Sequence, residues 1–424
     1  MNADQEARQQ RGLVIAATQT IQQESYGWLV PSQSDQRKGS EYCVTRQDDG
    51  LHCSCPDFEL RHQTCKHGFA VEFYLKRETI TSPDGETTVT ETRAVRVTYP
   101  QNWPAYNAAQ TAEKELFCHL LRDLCAAVPE PEHVNGRPPV PISDALFAAT
   151  YKVYSGVSSR RFMTDLRDAE AKGFVTRPWH FNTVLKVIET PTLAPVLQRL
   201  VTTSAAPLRA VETAFAVDST GFGTQQFYRH YSAKYGKERV RREFIKLHAL
   251  VGTKTNVVAA AVVTDQLGSE SSDSRQFIPL LEAGAETFKI TEVSADKAYL
   301  SRANLDAATA LGATPFIPLK ANTLDNPKSP AWSKLFHLYS YRIDEFLPYY
   351  HKRSNVESTF SAMKRLLGDT LRSKGIEAQT NELLMKVVAY NITCTIHSIF
   401  ELGVTVPGLS ACTQTALAAH EVGR

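Results

Sequence analysis

A polar segment near the carboxyl end of the chain has the residue types and spacing of a site for phosphate chemistry. Tyr350, Arg353, Glu357 and Lys364 follow one another in the pattern Tyr-x2-Arg-x3-Glu-x6-Lys. On a helix, at about 100° per residue, these side chains fall within an arc of about 60°. A carboxylate flanked by cations suits metal-dependent chemistry on a phosphate backbone. The pattern is equally typical of a solvated helix surface with weak ion pairs, so further carboxylates must decide between the two interpretations.

Two aspartates upstream stand where strands are predicted to end. Thr213–Asp218 is a short apolar run that closes with a carboxylate, and the predicted strand 287–296 closes with Asp296. Hard oxygen ligands of this kind hold pairs of divalent cations, which lie about 3.5–4 Å apart and clamp the oxygens of an in-line displacement. One such aspartate is more typical of a cap or a turn. Two of them before the Tyr350–Lys364 segment predict that Asp218, Asp296 and Glu357 converge.

A second cluster has the ligand types of a zinc site. Cys53, Cys55, Cys65 and His67 form a C-x-C pair and a C-x-H pair separated by nine residues. Four thiolate and imidazole ligands match a closed tetrahedral Zn2+ site with no position left for water, so the predicted role is structural. A finger of this size is expected to fold only with its metal. The neighbours left out of the ligand set are His52, His62 and Cys43.

The elements that must position the carboxylates are predicted over residues 205–400. Three β-rich runs joined by hairpin connections are followed by two β-α units, and a last amphipathic helix covers about 381–400. This order predicts an α/β fold with a mixed five-stranded sheet and flanking helices. A small zinc finger and an all-α region precede it.

Outside residues 205–400, the chain divides by composition and predicted secondary structure into four regions. Residues 108–204 are helical, and the helices that begin near Ser158 and Asn182 fit either a helix-turn-helix reader or a plain scaffold. Residues 102–104 interrupt the pattern before the first of these helices, which is predicted over 108–127. The predicted regions are 26–76 for the finger, 77–107 for a β-hairpin with a turn at 83–85 and a linker, 108–204 for DNA binding or dimerisation, and 401–424 for a tail.

Composition sets looser bounds on the function. With 424 residues the chain is too long for one ordinary core, and 42% apolar residues with a net charge of +2 describe a globular protein without a general attraction to nucleic acid. Residues 229–246 and 352–374 are locally basic, which fits phosphate contact and equally fits exposed helix faces. No apolar run approaches a membrane span, no secretory segment begins the chain, and the scattered cysteines indicate a reducing cytoplasm.

Residues from about 205 to 400 resemble the catalytic domain of bacterial insertion-sequence transposases of the Asp-Asp-Glu (DDE) class, which carry the Tyr-Arg-Glu-Lys signature on a ribonuclease-H-like fold. The matching positions are Asp218 in Val-Asp-Ser-Thr-Gly, Asp296 in Ser-Ala-Asp-Lys-Ala-Tyr, and Glu357 with its signature neighbours. Residues 26–76 resemble a SWIM-type zinc finger.

The resemblance implies a DNA transposase. Asp218, Asp296 and Glu357 would hold two Mg2+ or Mn2+ ions, while Arg353 and Lys364 would contact DNA phosphate with Tyr350 close by. The implied partners are the terminal inverted repeats and the target DNA, the assembly at least a dimer, and the location the nucleoid. Hydrolysis at each end would release a 3′-OH that attacks target DNA, so a tyrosine nucleophile is not expected.

One departure and two alternatives stand beside this prediction. Only 60 residues separate Asp296 from Glu357, which leaves no room for the large β-rich insertion of some relatives or for the hairpin-related role assigned to it. Trp332 lies in this segment and fits either base stacking or packing. The alternative functions are a catalytically inactive, domesticated DNA-binding protein and a nuclease of the same fold without strand transfer.

Overall fold

The computed structural model forms two compact units, Met1–Gln101 and Asn102–Arg424. The described residues are 3–24, 26–32, 41–47, 50–74, 76–81, 87–92, 102–132, 135–136, 138–224, 244–265, 272–320 and 323–421. Everything below concerns these residues. Each unit has a hydrophobic core of its own.

The first unit is a four-stranded antiparallel sheet with three helices and a separate hairpin. Its elements are α1 (Ala3–Thr18), β1 (Gln22–Glu24), β2 (Gly27–Pro31), β3 (Glu41–Gln47), β4 (Gly50–Cys53), α2 (Pro56–Arg61), α3 (Lys66–Tyr74), β5 (Lys76–Thr81) and β6 (Thr87–Thr92). The sheet order is β1-β2-β3-β4, and β5 pairs with β6 alone. Strand pairing from Lys76↔Thr92 to Thr81↔Thr87 agrees with the predicted hairpin, whereas its predicted turn at 83–85 lies outside the described residues.

Close packing of α1 on α3 covers the small core of this unit. A Cβ atom on Gly12 would lie 2.6 Å from the Cβ of Phe69 and 2.8 Å from the carbonyl oxygen of Lys66. The glycine therefore lets the two helices approach at backbone distance. Ile15 and Val30 are fully buried beneath them.

The second unit places helices around a five-stranded sheet. Its helices are α4 (Trp103–Ala126), α5 (Ile142–Ser155), α6 (Phe162–Ala171), α7 (Phe181–Ile188), α8 (Ala194–Ala205), α9 (Asp273–Ala285), α10 (Arg302–Ala310), α11 (Pro330–Tyr341), α12 (Ile343–Tyr350), α13 (Ser354–Leu367), α14 (Ile376–Leu402) and α15 (Ala411–Glu421). Its strands are β7 (Ala214–Gly223), β8 (Phe244–Gly252), β9 (Val258–Asp265), β10 (Glu292–Ala295) and β11 (Thr314–Phe316). One continuous core joins the helices before the sheet to the sheet itself.

The sheet has the mixed topology that the sequence predicts. Its order is β11-β10-β7-β8-β9, with β7, β10 and β11 parallel and with β8 antiparallel to both of its neighbours. The α/β class with an all-α region and a small finger before it is confirmed. The hairpin β8–β9 turns at residues 253–257, close to the predicted connection.

Helix α4 begins at the residues predicted to interrupt the pattern. Asn102 caps the helix by accepting a hydrogen bond from the Ala105 N–H at 3.3 Å, and Trp103 and Pro104 form its first turn. Proline lacks only an N–H that is unpaired at this position in any case. The helix therefore begins at Trp103, five residues before its predicted start at residue 108.

Three other predicted elements differ from the observed ones: strand β7, the segment 350–364 and helix α14. Strand β7 does not end at Asp218 but continues to Gly223, because β8 pairs with it along its whole length. The segment 350–364 is not one helix: Tyr350 ends α12, His351–Arg353 forms a 3-10 turn, and α13 follows. Pro348 inside α12 removes one helical N–H donor just before this break.

Helix α14 is buried on nearly all sides rather than amphipathic, because it packs against α4, α5, α8 and β9. By length and composition it is the one helix in the described part of the chain that could cross a membrane. However, 94% of its apolar window is buried inside the fold.

Candidate functional site

Strand register brings the two predicted aspartates to neighbouring positions. In the parallel pair β7–β10, Ala295 lies opposite Val217, so Asp296 and Asp218 are the next residues on adjacent strands. Parallel pairing ends there, while β7 continues beside β8. The Oδ1 atom of Asp218 accepts the Ser219 N–H at 2.8 Å, and Asp296 accepts the Lys297 N–H at 2.6 Å.

Arg353 joins the strand carboxylate to the helix carboxylate. Its Nη1 atom donates to Asp218 Oδ2 at 2.8 Å, and its Nη2 atom donates to Glu357 Oε1 at 2.7 Å. The 3-10 turn before α13 aims the guanidinium back at β7. Glu357 is the more open of the two acids, with 61% of its side chain exposed against 22% for Asp218.

Burial and like charge both act on Asp218. Burial raises the pKa of Asp218, and the charges of Glu357 and Asp296 raise it further, against the Ser219 N–H and Arg353, which lower it. Burial is the largest single influence and lowers the pKa of Arg353, but Asp218, Tyr350 and Glu357 together outweigh it and the net direction is upward. The three carboxylates thus repel one another, and one guanidinium offsets part of that repulsion.

The two remaining signature residues lie on opposite sides of this group. Lys364 donates to Thr220 Oγ1 at 2.8 Å and stands over the Phe222 ring at 5.1 Å, and burial lowers its pKa. Tyr350 stacks on Phe346 with ring centroids 5.7 Å apart, and burial raises the pKa of its phenol. Lys364 and Arg353 are both half-buried cations beside β7.

An open cavity of about 530 Å3 exposes one side of the Asp218–Arg353–Glu357 cluster. Asp218, Thr220, Glu357 and Lys364 line it, as do residues outside the signature: Ser219, Phe360, Ser361, Arg365 and Asp369. Asp296 is not in the lining and acts on the cavity through its charge on Asp218. The structure therefore brings two of the predicted carboxylates to one opening and the third to the adjacent strand.

The donor set fits a hard divalent cation. Carboxylate oxygens on a mutually repelling group of acids are the ligands that Mg2+ and Mn2+ take, usually with water and substrate phosphate. Arg353 holds one oxygen from each of Asp218 and Glu357, so it competes with an ion for these two oxygens. Asp296 keeps one oxygen uncommitted to the Lys297 N–H.

A polar group beneath the cavity was not predicted from the sequence. Asp273 accepts from Lys246 Nζ at 2.8 Å and lies 3.4 Å from His248 Nδ1. Burial lowers the pKa of His248 to about 4, so its ring is neutral, with Nε2 paired to Thr264 Oγ1 at 2.9 Å. His248 lies opposite Ser219 in the β7–β8 register. Only the cross-strand register, which a single sequence does not give, brings it near Asp218.

The predicted zinc ligands meet at one point in the first unit. Cys53 ends β4, Cys55 caps α2, and Cys65 directly precedes α3, whose first turn holds His67. Their ligand atoms all lie within 4.8 Å of one another, and His67 Nδ1 is 3.8 Å from the sulfurs of Cys53 and Cys65. Tetrahedral zinc bonds of about 2.0 Å to nitrogen and about 2.3 Å to sulfur require ligand separations of about 3.5–3.8 Å.

All four ligands are buried, which suits a closed structural site. Cys65 is fully buried, and His67 is 3% exposed. Hydrogen bonds from the thiols of Cys53 and Cys65 lower the pKa of the Cys55 thiol, so one sulfur here is poised as a thiolate. The donor set fits Zn2+. Of the neighbours left out, His52 packs against Phe58 in a tilted arrangement with ring centroids 5.0 Å apart, and the N–H of Cys43 donates to Ser54 Oγ.

Two secondary predictions have different outcomes. Trp332 is half-buried, and its indole N–H donates to the Leu324 carbonyl at 3.0 Å, which favours packing over base stacking. Most of the basic run 229–246 lies outside the described residues.

Comparison with known protein families agrees with both resemblances. Residues 209–392 match the family model described as "Transposase DDE domain", and residues 42–76 match "SWIM zinc finger". These matches confirm the predicted architecture. No curated protein matches the sequence.

Among solved structures, a match is the cryo-EM structure of a piggyBac transposase synaptic complex with hairpin DNA. It has 8% sequence identity and a TM-score of 0.35, and covers 74% of this chain and 79% of that chain. A TM-score this low carries no argument about the site.

Proposed function

We propose that this chain, which carries a transposase DDE domain behind a SWIM zinc finger, is a DNA transposase that cleaves the ends of a mobile element and joins each 3′-OH to target DNA. The observation that carries the proposal is the Arg353 bridge. It unites the helix carboxylate Glu357, the strand carboxylate Asp218 and a signature cation beside an open cavity.

In this proposal Asp218, Asp296 and Glu357 supply the oxygen ligands of two Mg2+ or Mn2+ ions. When bound, such ions activate the nucleophile and neutralise charge on the transferring phosphate. Arg353 then leaves the carboxylates and makes a two-pronged contact with phosphate oxygens, while Lys364 adds a point charge from the Thr220 side. Tyr350 supports the backbone of the substrate.

The remaining assignments concern the other regions. The Cys53, Cys55, Cys65 and His67 set holds one structural Zn2+, and the finger over 26–76 contacts DNA or protein. The helical region 108–204 serves DNA binding or assembly, since bringing two element ends together needs at least two copies. The DNA partners are the terminal inverted repeats and the target, which places the protein on the nucleoid.

Cleavage of the DNA that flanks the coding sequence tests the proposal. With Mg2+ present, the full chain is expected to nick this DNA at the repeat boundary, and Asp218→Ala, Asp296→Ala and Glu357→Ala are each expected to lose at least about a thousandfold in rate. Glu282→Ala is the matched control, because Glu282 is an exposed acid of α9 outside the cavity.

The products distinguish the alternatives. Nicked ends that also join to a supercoiled target indicate a transposase, whereas nicking without joined products indicates a nuclease of the same fold. Binding without nicking by the wild-type chain would indicate a catalytically inactive DNA-binding protein. Full nicking by Glu357→Ala would overturn the ligand assignment.

A further inference from the structure

The loop Gly368–Gly375, which joins α13 to α14, is fixed by a buried carboxylate. Glu382 is 4% exposed and sits one and a half turns into α14. Its Oε2 atom accepts the N–H groups of Arg372 at 3.1 Å and Ser373 at 2.8 Å, and Oε1 accepts the Arg372 N–H at 3.0 Å. A buried acid therefore holds the loop by its main chain.

A buried lysine one turn further along α14 holds the start of the same loop. Lys386 is 3% exposed, and its Nζ atom donates to the carbonyls of Gly368 at 2.8 Å and Thr370 at 2.9 Å. It stands 5.5 Å from the centroid of the Phe222 ring, which Lys364 also faces at 5.1 Å. The signature lysine and the loop lysine thus share one buried aromatic ring.

The loop is also tied to the end of the catalytic strand. The N–H of Gly223 donates to the Asp369 carbonyl at 3.0 Å, and the N–H of Leu371 donates to the Gly223 carbonyl at 2.8 Å. Leu371 is 2% exposed and anchors the loop in the core. The loop therefore keeps a fixed position relative to β7, which carries Asp218.

Burying Glu382 and Lys386 costs free energy, and a loop that only joins two helices does not need them. A buried charge is costly unless it is fully hydrogen-bonded, and an uncharged turn would join two helices without that cost. The exposed charges of the loop are two cations, Arg372 and Lys374, and one acid, Asp369, and neither cation forms an ion pair among the described residues. The loop also borders the cavity through Asp369, beside Arg365.

We propose that the loop Gly368–Gly375 is a phosphate-contact strip for DNA held at the candidate active site. Arg372 and Lys374 are the contact residues, and Glu382 and Lys386 are positioning residues that hold their backbone. The ligand class is the DNA sugar-phosphate backbone next to the reacting phosphate, read without regard to base sequence. The inference rests on the proposed function for its substrate.

Salt dependence of DNA binding tests the contacts. The full chain, in a chelator-free buffer without Mg2+ or Mn2+, is titrated into a fluorescent duplex of the flanking DNA over a KCl series. Each lost phosphate contact reduces the slope of log affinity against log salt by about 1, so Arg372→Ala/Lys374→Ala is expected to reduce it by about 2. The matched control is Arg209→Ala/Lys334→Ala, an exposed arginine and lysine that lie outside the cavity lining and outside the region 108–204.

A double-mutant cycle tests the positioning role. Glu382→Gln keeps the side-chain shape but cannot accept all three N–H contacts, so it should weaken binding in the wild-type background. In the Arg372→Ala/Lys374→Ala background it should have no further effect, because the side chains it positions are gone. Thermal unfolding of each variant reports any general loss of structure.

The outcomes separate this proposal from the proposed function. An unchanged salt slope in Arg372→Ala/Lys374→Ala, or an equal effect of Glu382→Gln in both backgrounds, would overturn the contact strip. Because binding is measured without Mg2+ or Mn2+, failure of the cleavage test leaves the slope measurable. A reduced slope without cleavage would keep the strip and reject the transposase.

Discussion

The two metal-type sites of this chain are built in opposite ways. The zinc ligands lie within residues 53–67, and all four are buried. The carboxylates Asp218 and Glu357 lie far apart in sequence, the latter largely exposed, and Arg353 occupies the space between them. A closed structural site is specified by local spacing, whereas an open site for substrate needs strand register, a helix start and a counter-charge that can move.

The largest expected effect is on the zinc site. Cys65→Ser, or removal of zinc by a chelator, should unfold the finger, because structural zinc supplies about 10–16 kcal/mol of binding free energy to such folds. Protease sensitivity of residues 26–74 and the zinc content per chain measure this loss. The second unit should keep its own unfolding transition, since it has a separate core.

Cys43→Ser is the matched control for the zinc prediction. The Cys43 thiol lies in the same small sheet but outside the ligand cluster, so this variant should retain one zinc per chain. Equal zinc loss in Cys43→Ser and Cys65→Ser would mean that the ligand set is wrong.

Acid should destabilise the second unit through the buried side chain of His248, which no local sequence pattern singles out. Burial lowers the pKa of His248 from 6.5 to about 4. The unfolded chain therefore binds more protons between these values, and the free energy of unfolding is intact above pH 6.5 and falls as the pH drops towards 4. The full loss is about 3 kcal/mol.

Urea unfolding at pH 7 and pH 5 measures the acid effect in wild type and His248→Gln. The variant should start less stable but lose less on acidification, because its side chain does not titrate. His337→Gln removes an exposed histidine and should show the wild-type difference. An undiminished acid loss in His248→Gln would place the sensitivity elsewhere.

A smaller effect should show that Arg353 competes with a metal ion. Arg353→Ala removes the cation that holds Asp218 and Glu357, and a hydrogen bond to a charged group is worth about 1.5–3 kcal/mol. Affinity for Mn2+, followed by calorimetry, should therefore rise by about tenfold even though DNA cleavage falls. Arg365→Ala, which removes an exposed cation of the same cavity, should leave Mn2+ affinity nearly unchanged. Weaker Mn2+ binding in Arg353→Ala would mean that the arginine positions the carboxylates for the ion rather than competing with it.

The sequence predicts most of what is local. The C-x-C and C-x-H pairs identify all four residues of the Cys/His cluster, and the succession of β and α segments predicts a mixed five-stranded sheet with flanking helices. The family matches then confirm the architecture.

What the sequence could not give depends on contacts between distant segments. Asp218 was predicted to end a strand, because nothing local shows that β8 continues to pair with β7 as far as Gly223. The polar arc on one helix was wrong, because the turn at 351–353 redirects Arg353 to Asp218. The roles of Glu382 and Lys386 depend on their contacts with the loop Gly368–Gly375. From the sequence alone, both are only polar positions of a helix.

Tyr350→Phe should have the smallest effect, and its size decides which chemistry the open site performs. The charges of Arg353 and Asp296 act on the phenol, but burial is the largest influence and raises the pKa of Tyr350, which opposes formation of a nucleophilic phenolate. If Tyr350 only supports the substrate, losing the hydroxyl should cost less than about tenfold in cleavage, or about 1.4 kcal/mol. Ring stacking on Phe346 is retained, so stability should not change. A loss as large as that of Glu357→Ala, together with a covalent protein–DNA product, would make Tyr350 the nucleophile and remove the reason for a carboxylate triad at this site.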